Sequence, residues 1–328
     1  MRTSVEGPLT SSLDPRPASS RALRRRSLAN LLRMGHCAPT VMKTVLDCYQ
    51  TDAPWVVKLT AGLPGGIGNC RNECGGITSP LVLLGLRHAR GPDVAGVPAV
   101  VYKGNALLQA FRARHGTTFC RDILGDSRLP LRCVGVVRIA PERYLDVRSR
   151  DCTSALTGEN REAYAILHAP HAEKGFHCAH AVLRQVRDTE AVVPALLDAT
   201  AAFVGGTVYS GLTCSALTAG VMLLGLSHGE IEDSPRRVLR MIGIMAVGGD
   251  AFADDLNAFN RVMNLGHELA RWFKGQYGST QCRDLTGCDF STSPGASRYA
   301  ESGCVLRCEA IAREVALRVR GMVELTRV

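Results

Sequence analysis

Cysteine is the residue type whose number and spacing in this 328-residue chain are best suited to chemistry. Eight of the 13 cysteines occupy matched positions in the two halves of the sequence: Cys37, Cys74, Cys120 and Cys152, then Cys178, Cys214, Cys282 and Cys304. Four thiolates are what an iron–sulfur cluster or a tetrahedral zinc ion requires as ligands. Pairs of thiols can alternatively cycle between the reduced form and a disulfide. The pattern therefore predicts metal–thiolate or thiol–disulfide chemistry in each half.

The spacing of these cysteines differs from that of common metal-binding motifs. Zinc ribbons and ferredoxins collect their ligands in short CxxC runs, whereas here each cysteine would come from a different helix or helix end. Cys37, Cys74 and Cys178 stand next to predicted helix starts. Because the helix dipole and the free N–H groups at such a start lower the pKa of a thiol, we expect thiolates at these positions.

A buried cysteine is more often an inert, small apolar residue than a ligand. That interpretation applies to the five unmatched cysteines, which are Cys48, Cys70, Cys133, Cys288 and Cys308. Two of them stay open, because Cys70 and Cys308 lie about one helical turn from a matched cysteine in CxxxC pairs. The eight matched cysteines keep the same positions in both halves, which favours a functional role for them over the inert interpretation.

Histidines also recur beside the cysteines. His36 and His177 precede the first cysteine of each half, and His88 and His228 end an apolar helix in each half. The favoured interpretation of His88 and His228 is compensation of the helix dipole, and the alternative is an axial ligand of haem or another metal. Covalent c-type haem attachment is excluded because the sequence contains no CxxCH.

The elements that must position these residues are duplicated. The segment GGIGNCRNECGGITSPLVLLGLRH, from Gly65, aligns without a gap with GGTVYSGLTCSALTAGVMLLGLSH, from Gly205. Blocks around the first, third and fourth matched cysteines follow the same order in both halves, and the third block reads Cys-Arg-Asp in each. The Arg-Asp pairs indicate a local charge pair or helix cap. We predict a basic disordered tail over 1–27, a first repeat over 28–168 and a second repeat over 169–328.

Composition and periodicity predict an all-α fold of two helical bundles. Aromatic residues make up only 5% of the chain, fewer than a β-sandwich needs. Apolar spacing predicts helices over 38–46, 77–86, 106–114, 265–273 and 304–319. Pro80 is expected in the first turn of its helix, residues 134–139 as a short extended piece, and 158–172 as the loop that joins the two repeats.

Charge and hydropathy limit the partners and the compartment. Much of the net charge of +9 lies in the arginine-rich run over 21–33, which is typical of a solvated tail rather than of a nucleic-acid surface. No secretory signal is visible, so we expect a cytoplasmic protein in which structural disulfides are disfavoured. Residues 199–228 carry no charged side chain, but glycines interrupt them, and the expectation is a buried helix rather than a membrane span.

The motifs resemble a family of redox-active proteins named for the pattern C-GCAxxG-C-C. The resemblance rests on HCAHAV at 177–182, on the Cys214 block with its LLGL, on GSTQCRDLTG at 278–287, and on a final cysteine on a helix. It implies a helical fold, a redox role with a partner protein, and an iron–sulfur cluster held by the four matched cysteines of each repeat. The alternatives are a metal-free thiol–disulfide protein and a non-redox scaffold with structural zinc.

Overall fold

The computed structural model describes residues 19–89, 96–125, 131–151, 158–174, 177–186, 193–231 and 234–325. Within these ranges the chain forms sixteen α-helices and no regular strand, and the only β-type pairing is two isolated bridges. The predicted all-α class is therefore confirmed.

The helices of the first half are α1 (Ser20–Met34), α2 (Cys37–Cys48), α3 (Pro54–Leu59), α4 (Gly75–His88), α5 (Gly96–His115), α6 (Cys120–Leu124) and α7 (Leu131–Ser149). Those of the second half are α8 (Glu159–Lys174), α9 (Cys178–Val186), α10 (Val193–Thr200), α11 (Ser215–His228), α12 (Pro235–Ala246), α13 (Ala258–Tyr277), α14 (Cys282–Thr286), α15 (Ser293–Glu301) and α16 (Cys304–Leu325). A short 3-10 helix, Ala201–Phe203, follows α10.

The chain folds into two compact units, and each unit takes segments from both halves of the sequence. Unit 1 contains the described residues of 1–83, 107–149 and 221–268. Unit 2 contains the described residues of 84–106, 150–220 and 269–328. The repeat boundaries at 28–168 and 169–328 stay a prediction about the sequence, because the compact units are not contiguous in it.

Local sequence explains the helices around the first matched cysteine. Ser19 caps α1, since its hydroxyl accepts the N–H of Ala22 at 3.2 Å. The left-handed Gly35 ends α1 and returns its own N–H to the carbonyl of Leu31. α2 then buries its apolar residues at helical spacing, as its sequence predicts. α1 and α2 both pack against α7.

The predicted extended piece over 134–139 was wrong, because these residues form part of α7. Val137 and Ala140 lie on one face of α7 and pack with Val41 of α2 in the core. The β-branched residues of 134–139 favour a strand locally, but this segment is helical because one of its faces is buried against α2.

Three further boundaries differ from the sequence predictions. α4 begins at Gly75, so Pro80 lies inside the helix and not in its first turn. The predicted joining loop over 158–172 is helical from Glu159 onward, with Ala163 and Leu167 buried one turn apart. Of the predicted tail, 1–18 lie outside the described residues, but 20–27 belong to α1, and Ser27 is buried there.

The uncharged stretch over 199–228 contains α11, and this helix is buried through most of its length. Across the described part of the chain, no helix combines the length and the apolar character that crossing a membrane requires.

Candidate functional site

A left-handed loop precedes the second matched cysteine in both halves. In unit 1 the loop before Cys74 has positive φ at Gly65, Gly66, Ile67, Gly68, Asn69 and Arg71. In unit 2 the loop before Cys214 has positive φ at Gly205, Gly206, Thr207, Val208, Tyr209 and Gly211. The two loops close with equivalent backbone hydrogen bonds, such as Asn72 N–H to Gly66 O at 3.0 Å and Leu212 N–H to Gly206 O at 2.8 Å.

This backbone conformation is costly, since a left-handed non-glycine residue costs roughly 1–2 kcal/mol. Each loop contains three such residues, and β-branched Ile67 and Val208 are among them. Both of these side chains are fully buried, which offsets part of the cost. Strain of this kind persists only where the surrounding structure enforces it, and it is common at functional sites.

The loops bring the second and third cysteines together. In unit 1, Cys74 donates its N–H to Thr118 O at 3.0 Å, and Cys120 donates its N–H to Asn72 O at 2.6 Å. In unit 2, Cys214 donates to Thr280 O at 2.8 Å, and Cys282 donates to Leu212 O at 2.6 Å. One isolated bridge in each unit, Glu73 with Phe119 and Thr213 with Gln281, therefore fixes two cysteines beside each other.

Four thiols meet in unit 1. Cys37 is the first residue of α2, Cys74 directly precedes α4, Cys120 is the first residue of α6, and Cys133 lies in the first turn of α7. We call these four the first thiol cluster. They line one cavity of about 530 Å³ together with apolar side chains and four polar ones, His36, Asn69, Arg71 and Asp250. Cys74 and Cys120 are buried, and Cys37 and Cys133 are half-buried.

Four thiols of unit 2 come from the corresponding elements. Cys178 is the first residue of α9, Cys214 directly precedes α11, Cys282 is the first residue of α14, and Cys308 lies early in α16. We call these four the second thiol cluster. The thiols of Cys178 and Cys308 form a hydrogen bond, and the charges of Cys214 and Cys282 act on Cys178 as well.

The first thiol cluster resists ionisation. Burial raises the pKa of Cys120 and that of Cys133 to about 12. It raises the pKa of Cys74 well above 9.0, and repulsion by the charges of Cys37 and Cys120 adds to this shift. The pKa of Cys37 is also raised by burial, although the backbone N–H groups of Gly65, Cys37 itself, Ala38 and Gly75 oppose the shift as hydrogen-bond donors.

The second thiol cluster behaves similarly except at one position. Burial raises the pKa of Cys214 to about 12. Burial, with repulsion from Cys214 and Cys308, also raises the pKa of Cys282 well above 9.0. The hydrogen bond with Cys308, followed by burial, raises the pKa of Cys178 well above 9.0. The same hydrogen bond, with a second one from Tyr299, lowers the pKa of Cys308.

The expectation of lowered thiol pKa values at helix starts was wrong for Cys37, Cys74 and Cys178. Their pKa values are raised, chiefly by burial and, at Cys178, by its hydrogen bond to Cys308. Backbone N–H groups do reach the sulfurs of Cys37 and Cys74, but removing a thiolate from water costs more than these donors return.

Six of the eight matched cysteines thus lie in the two thiol clusters. Cys152 lies outside the described residues, so its role as a ligand stays a prediction. Cys304 is the first residue of α16 and forms a hydrogen bond with Cys288, and only its charge reaches Cys282. The structure favours Cys308 over Cys304 as the fourth thiol, because Cys308 contacts Cys178 directly.

Cys133 and Cys308 are the members that the matched pattern missed. A signal for them exists in the sequence, since Leu-Arg-Cys occurs once as 131–133 and again as 306–308. Each tripeptide lies near the start of the long helix that packs on the helix of the first cysteine, α7 on α2 and α16 on α9. Alignment on this tripeptide, rather than on Cys152 and Cys304, places equivalent thiols together.

The histidines beside the first cysteines are buried and bonded to protein atoms. His36 Nε2 lies 2.7 Å from Asn260 Oδ1, and its Nδ1 lies 2.9 Å from Met34 O. His177 Nδ1 accepts the N–H of Ala179 at 3.2 Å, and its ring stacks on that of His180 with centroids 4.0 Å apart. These contacts orient the loop before each first cysteine.

The other two histidines lie where the dipole interpretation expects them. His88 is the last residue of α4, and His228 is the last residue of α11. The axial-ligand alternative for this pair stays untested.

The remaining candidate residues have local roles. Cys70 hydrogen-bonds to Gly68 O at 3.2 Å and contacts His267 Nδ1 at 3.4 Å. Arg121 and Asp122 form the predicted charge pair at 3.6 Å. Among the described residues, no group of three or more His, Cys, Asp or Glu side chains is arranged as a site for one metal ion.

Comparison with protein families gives two matches, one in each half of the chain. A family model described as "Putative redox-active protein (C_GCAxxG_C_C)" matches residues 35–156 and again residues 176–322. The chain belongs to the C_GCAxxG_C_C family. The two matches confirm the predicted tandem duplication. No curated protein matches the chain. No solved structure matches it either.

The two C_GCAxxG_C_C copies differ at the residue that follows the second cysteine. In unit 1 this residue is Gly75, and a Cβ atom there would lie 2.6 Å from Cys37 Sγ. In unit 2 it is Ser215, whose buried hydroxyl donates to Phe203 O. A side chain at this position of the first copy would therefore crowd the first cysteine, whereas the second copy holds a serine there.

Proposed function

We propose that this C_GCAxxG_C_C protein transfers electrons through an iron–sulfur cluster bound by each thiol cluster. The ligands would be Cys37, Cys74, Cys120 and Cys133 in unit 1, and Cys178, Cys214, Cys282 and Cys308 in unit 2. The observation that carries the proposal is that four thiols from four separate elements line one cavity in unit 1. The four corresponding thiols of unit 2 interact with one another electrostatically.

The electrostatics of the two thiol clusters support a cationic centre. Burial and mutual repulsion keep most of these thiols protonated. Clustering four buried thiols is therefore unfavourable for their ionisation unless a cation binds them. Bound iron compensates the negative charge of the thiolates, and its binding releases their protons. The clustered thiols are therefore better suited to hold a metal centre than to act as separate residues.

The surroundings of Cys37 also fit an iron–sulfur cluster. Four backbone N–H groups reach its sulfur, and N–H donors to ligand sulfurs tune the reduction potential of such a centre. The cavity of about 530 Å³ beside the first thiol cluster is in the range of roughly 300–1,000 Å³ that cofactor sites occupy. A bound iron–sulfur cluster takes up and releases single electrons, which a partner protein would supply and receive.

A metal-free thiol–disulfide function is the second candidate. The hydrogen bond between Cys178 and Cys308 brings two sulfurs into contact, and the lowered pKa of Cys308 favours one thiolate in that pair. Structural zinc on four cysteines is the remaining alternative. These two alternatives and the iron–sulfur proposal predict different metal contents for the purified protein.

The deciding experiment is quantification of iron, acid-labile sulfide and zinc in the full chain purified without oxygen. We expect iron and sulfide in comparable amounts, visible absorption that bleaches on reduction, and a paramagnetic signal from the reduced protein. Zinc without iron would select the scaffold function. Metal-free protein whose thiol count falls on mild oxidation would select the thiol–disulfide function.

Single variants test the assignment of the ligands. Cys133→Ser and Cys308→Ser should each remove about half of the iron, because each disables one of two equivalent four-thiolate sites. Cys48→Ser removes a buried thiol outside both thiol clusters and should leave the iron content unchanged. Loss of all iron from either ligand variant would contradict two independent centres, and full iron in both would contradict the assignment.

A further inference from the structure

Unit 2 contains a second pair of thiols beside the second thiol cluster. Cys288 and Cys304 form a hydrogen bond with each other. Both sulfurs also reach the same backbone oxygen, that of Thr286, at 3.4 Å from Cys288 and 3.6 Å from Cys304. This carbonyl oxygen thus holds two sulfurs from different elements in one place.

The backbone on each side fixes this placement. Gly287, with φ of 67°, ends α14 and turns the chain so that Cys288 follows in the loop. Gly303, with φ of 71°, precedes Cys304 at the start of α16. The hydroxyl of Ser302 donates to Cys304 Sγ at 3.0 Å. The pair is therefore built by two left-handed glycines and is not a chance approach of mobile side chains.

The two thiols differ in access to solvent. Cys288 is 2% exposed, whereas Cys304 is half-buried. A soluble reagent would therefore meet Cys304 first, and Cys288 would meet only Cys304. This is the arrangement of an attacking thiol and a resolving thiol.

The first copy has no equivalent pair. Aligned on Cys-Arg-Asp, Cys288 corresponds to Asp126, and aligned on Leu-Arg-Cys, Cys304 corresponds to Leu129. Neither Cys288 nor Cys304 belongs to the thiol clusters that both copies share. The pair is thus an addition to unit 2.

We propose that Cys288 and Cys304 form a reversible disulfide by exchange with a low-molecular-weight disulfide. The Cys304 thiolate attacks one sulfur of that disulfide, and the first small thiol leaves with the proton of Cys304. Cys288 then attacks the sulfur of Cys304, and the second small thiol leaves with the proton of Cys288. The protein loses two electrons and two protons, and the small disulfide gains both to become two thiols.

Peptide mapping of the full chain tests the proposal. The reduced protein is incubated with oxidised glutathione, its free thiols are alkylated, and it is digested with trypsin. Cleavage after Arg283, Arg298 and Arg307 places Cys288 in peptide 284–298 and Cys304 in peptide 299–307. We expect these two peptides to be joined by a disulfide, and to separate after dithiothreitol. A disulfide that joins peptide 299–307 to peptide 308–313, which carries Cys308, would overturn the proposal. Alkylation of both Cys288 and Cys304 would overturn it as well.

Two variants test the order of the steps. Cys288→Ser should accumulate a glutathione adduct on Cys304, because the resolving thiol is absent. Cys304→Ser should leave Cys288 without an adduct, because Cys288 is buried. An adduct on Cys288 in Cys304→Ser would refute the assigned order. Cys48→Ser is the matched control and should still yield the joined peptides.

The same variants separate this proposal from the iron–sulfur proposal. Cys288→Ser and Cys304→Ser should retain the iron content of the wild-type protein, because neither residue is among the proposed ligands. Failure of the peptide linkage with full iron content would defeat the disulfide alone. Absence of iron together with the linked peptides would defeat the iron–sulfur proposal alone.

Discussion

Removing one buried thiol should make the metal-free protein less sensitive to alkaline pH. Burial raises the pKa of Cys120 from 9.0 to about 12, so the folded state keeps this thiol neutral while the unfolded chain ionises it. The stabilising contribution is therefore fully present below pH 9 and is lost as the pH rises toward 12. Cys120→Ala removes this titration from unit 1.

The size of the effect follows from the shift. At pH 10, one unit above the pKa of the unfolded thiol, ionisation of the unfolded chain lowers the free energy of unfolding by about 1 kcal/mol. At pH 11 the free energy of unfolding is lower by about 3 kcal/mol by the same relation. Lysines, tyrosines and the other thiols also titrate in this range, but their effects cancel when wild type and Cys120→Ala are compared.

Urea unfolding followed by fluorescence provides the assay. The chain has two tryptophans, and Trp55 is a buried residue of unit 1 while Trp272 belongs to unit 2. In a Trp272→Phe background, the fluorescence of Trp55 reports on the unit that contains Cys120. Between pH 8 and pH 10 the free energy of unfolding of the wild-type protein should fall by about 1 kcal/mol more than that of Cys120→Ala. Equal losses in both proteins would refute a neutral, buried thiol at this position.

Two substitutions of glycine test the geometry that positions the thiols. Gly66→Ala should destabilise unit 1 by about 2–5 kcal/mol in urea unfolding, because φ is 83° and the new Cβ would lie 2.5 Å from Asn72 N. Gly243→Ala, in open space on α12, is the control and should stabilise unit 1 by roughly 0.5–1 kcal/mol. An equal effect of the two substitutions on stability would contradict the reasoning. Gly75→Ala should displace Cys37 Sγ and lower the iron content by up to half, with no change in iron contradicting the close contact.

Much of the local structure could be predicted because its causes are local. Apolar residues at helical spacing identified α2, α13 and α16, and the structure confirms these helices. The duplication was visible because identical residues recur in the same order, and two family matches bear it out. The choice of cysteine as the functional residue type also came from the sequence, since matched retention is a property of the sequence.

Membership of each thiol cluster was only partly predictable. The pattern of matched cysteines did not include Cys133. The structure does include it, because α7 packs on α2 and places Cys133 in the same cavity. Cys304 and Cys308 lie on the same helix, and only the packing of α16 against α9 decides that Cys308 contacts Cys178.

What the sequence alone determined about this protein is the repeated helices, the duplication and the use of cysteine. What tertiary structure decided is which thiols meet, how strongly their ionisation is opposed, and that residues such as Ile67 and Val208 adopt left-handed backbone. The physical reason is the range of the interactions. Helix propensity and capping act within a few residues, whereas burial and charge repulsion depend on elements that are distant in the chain.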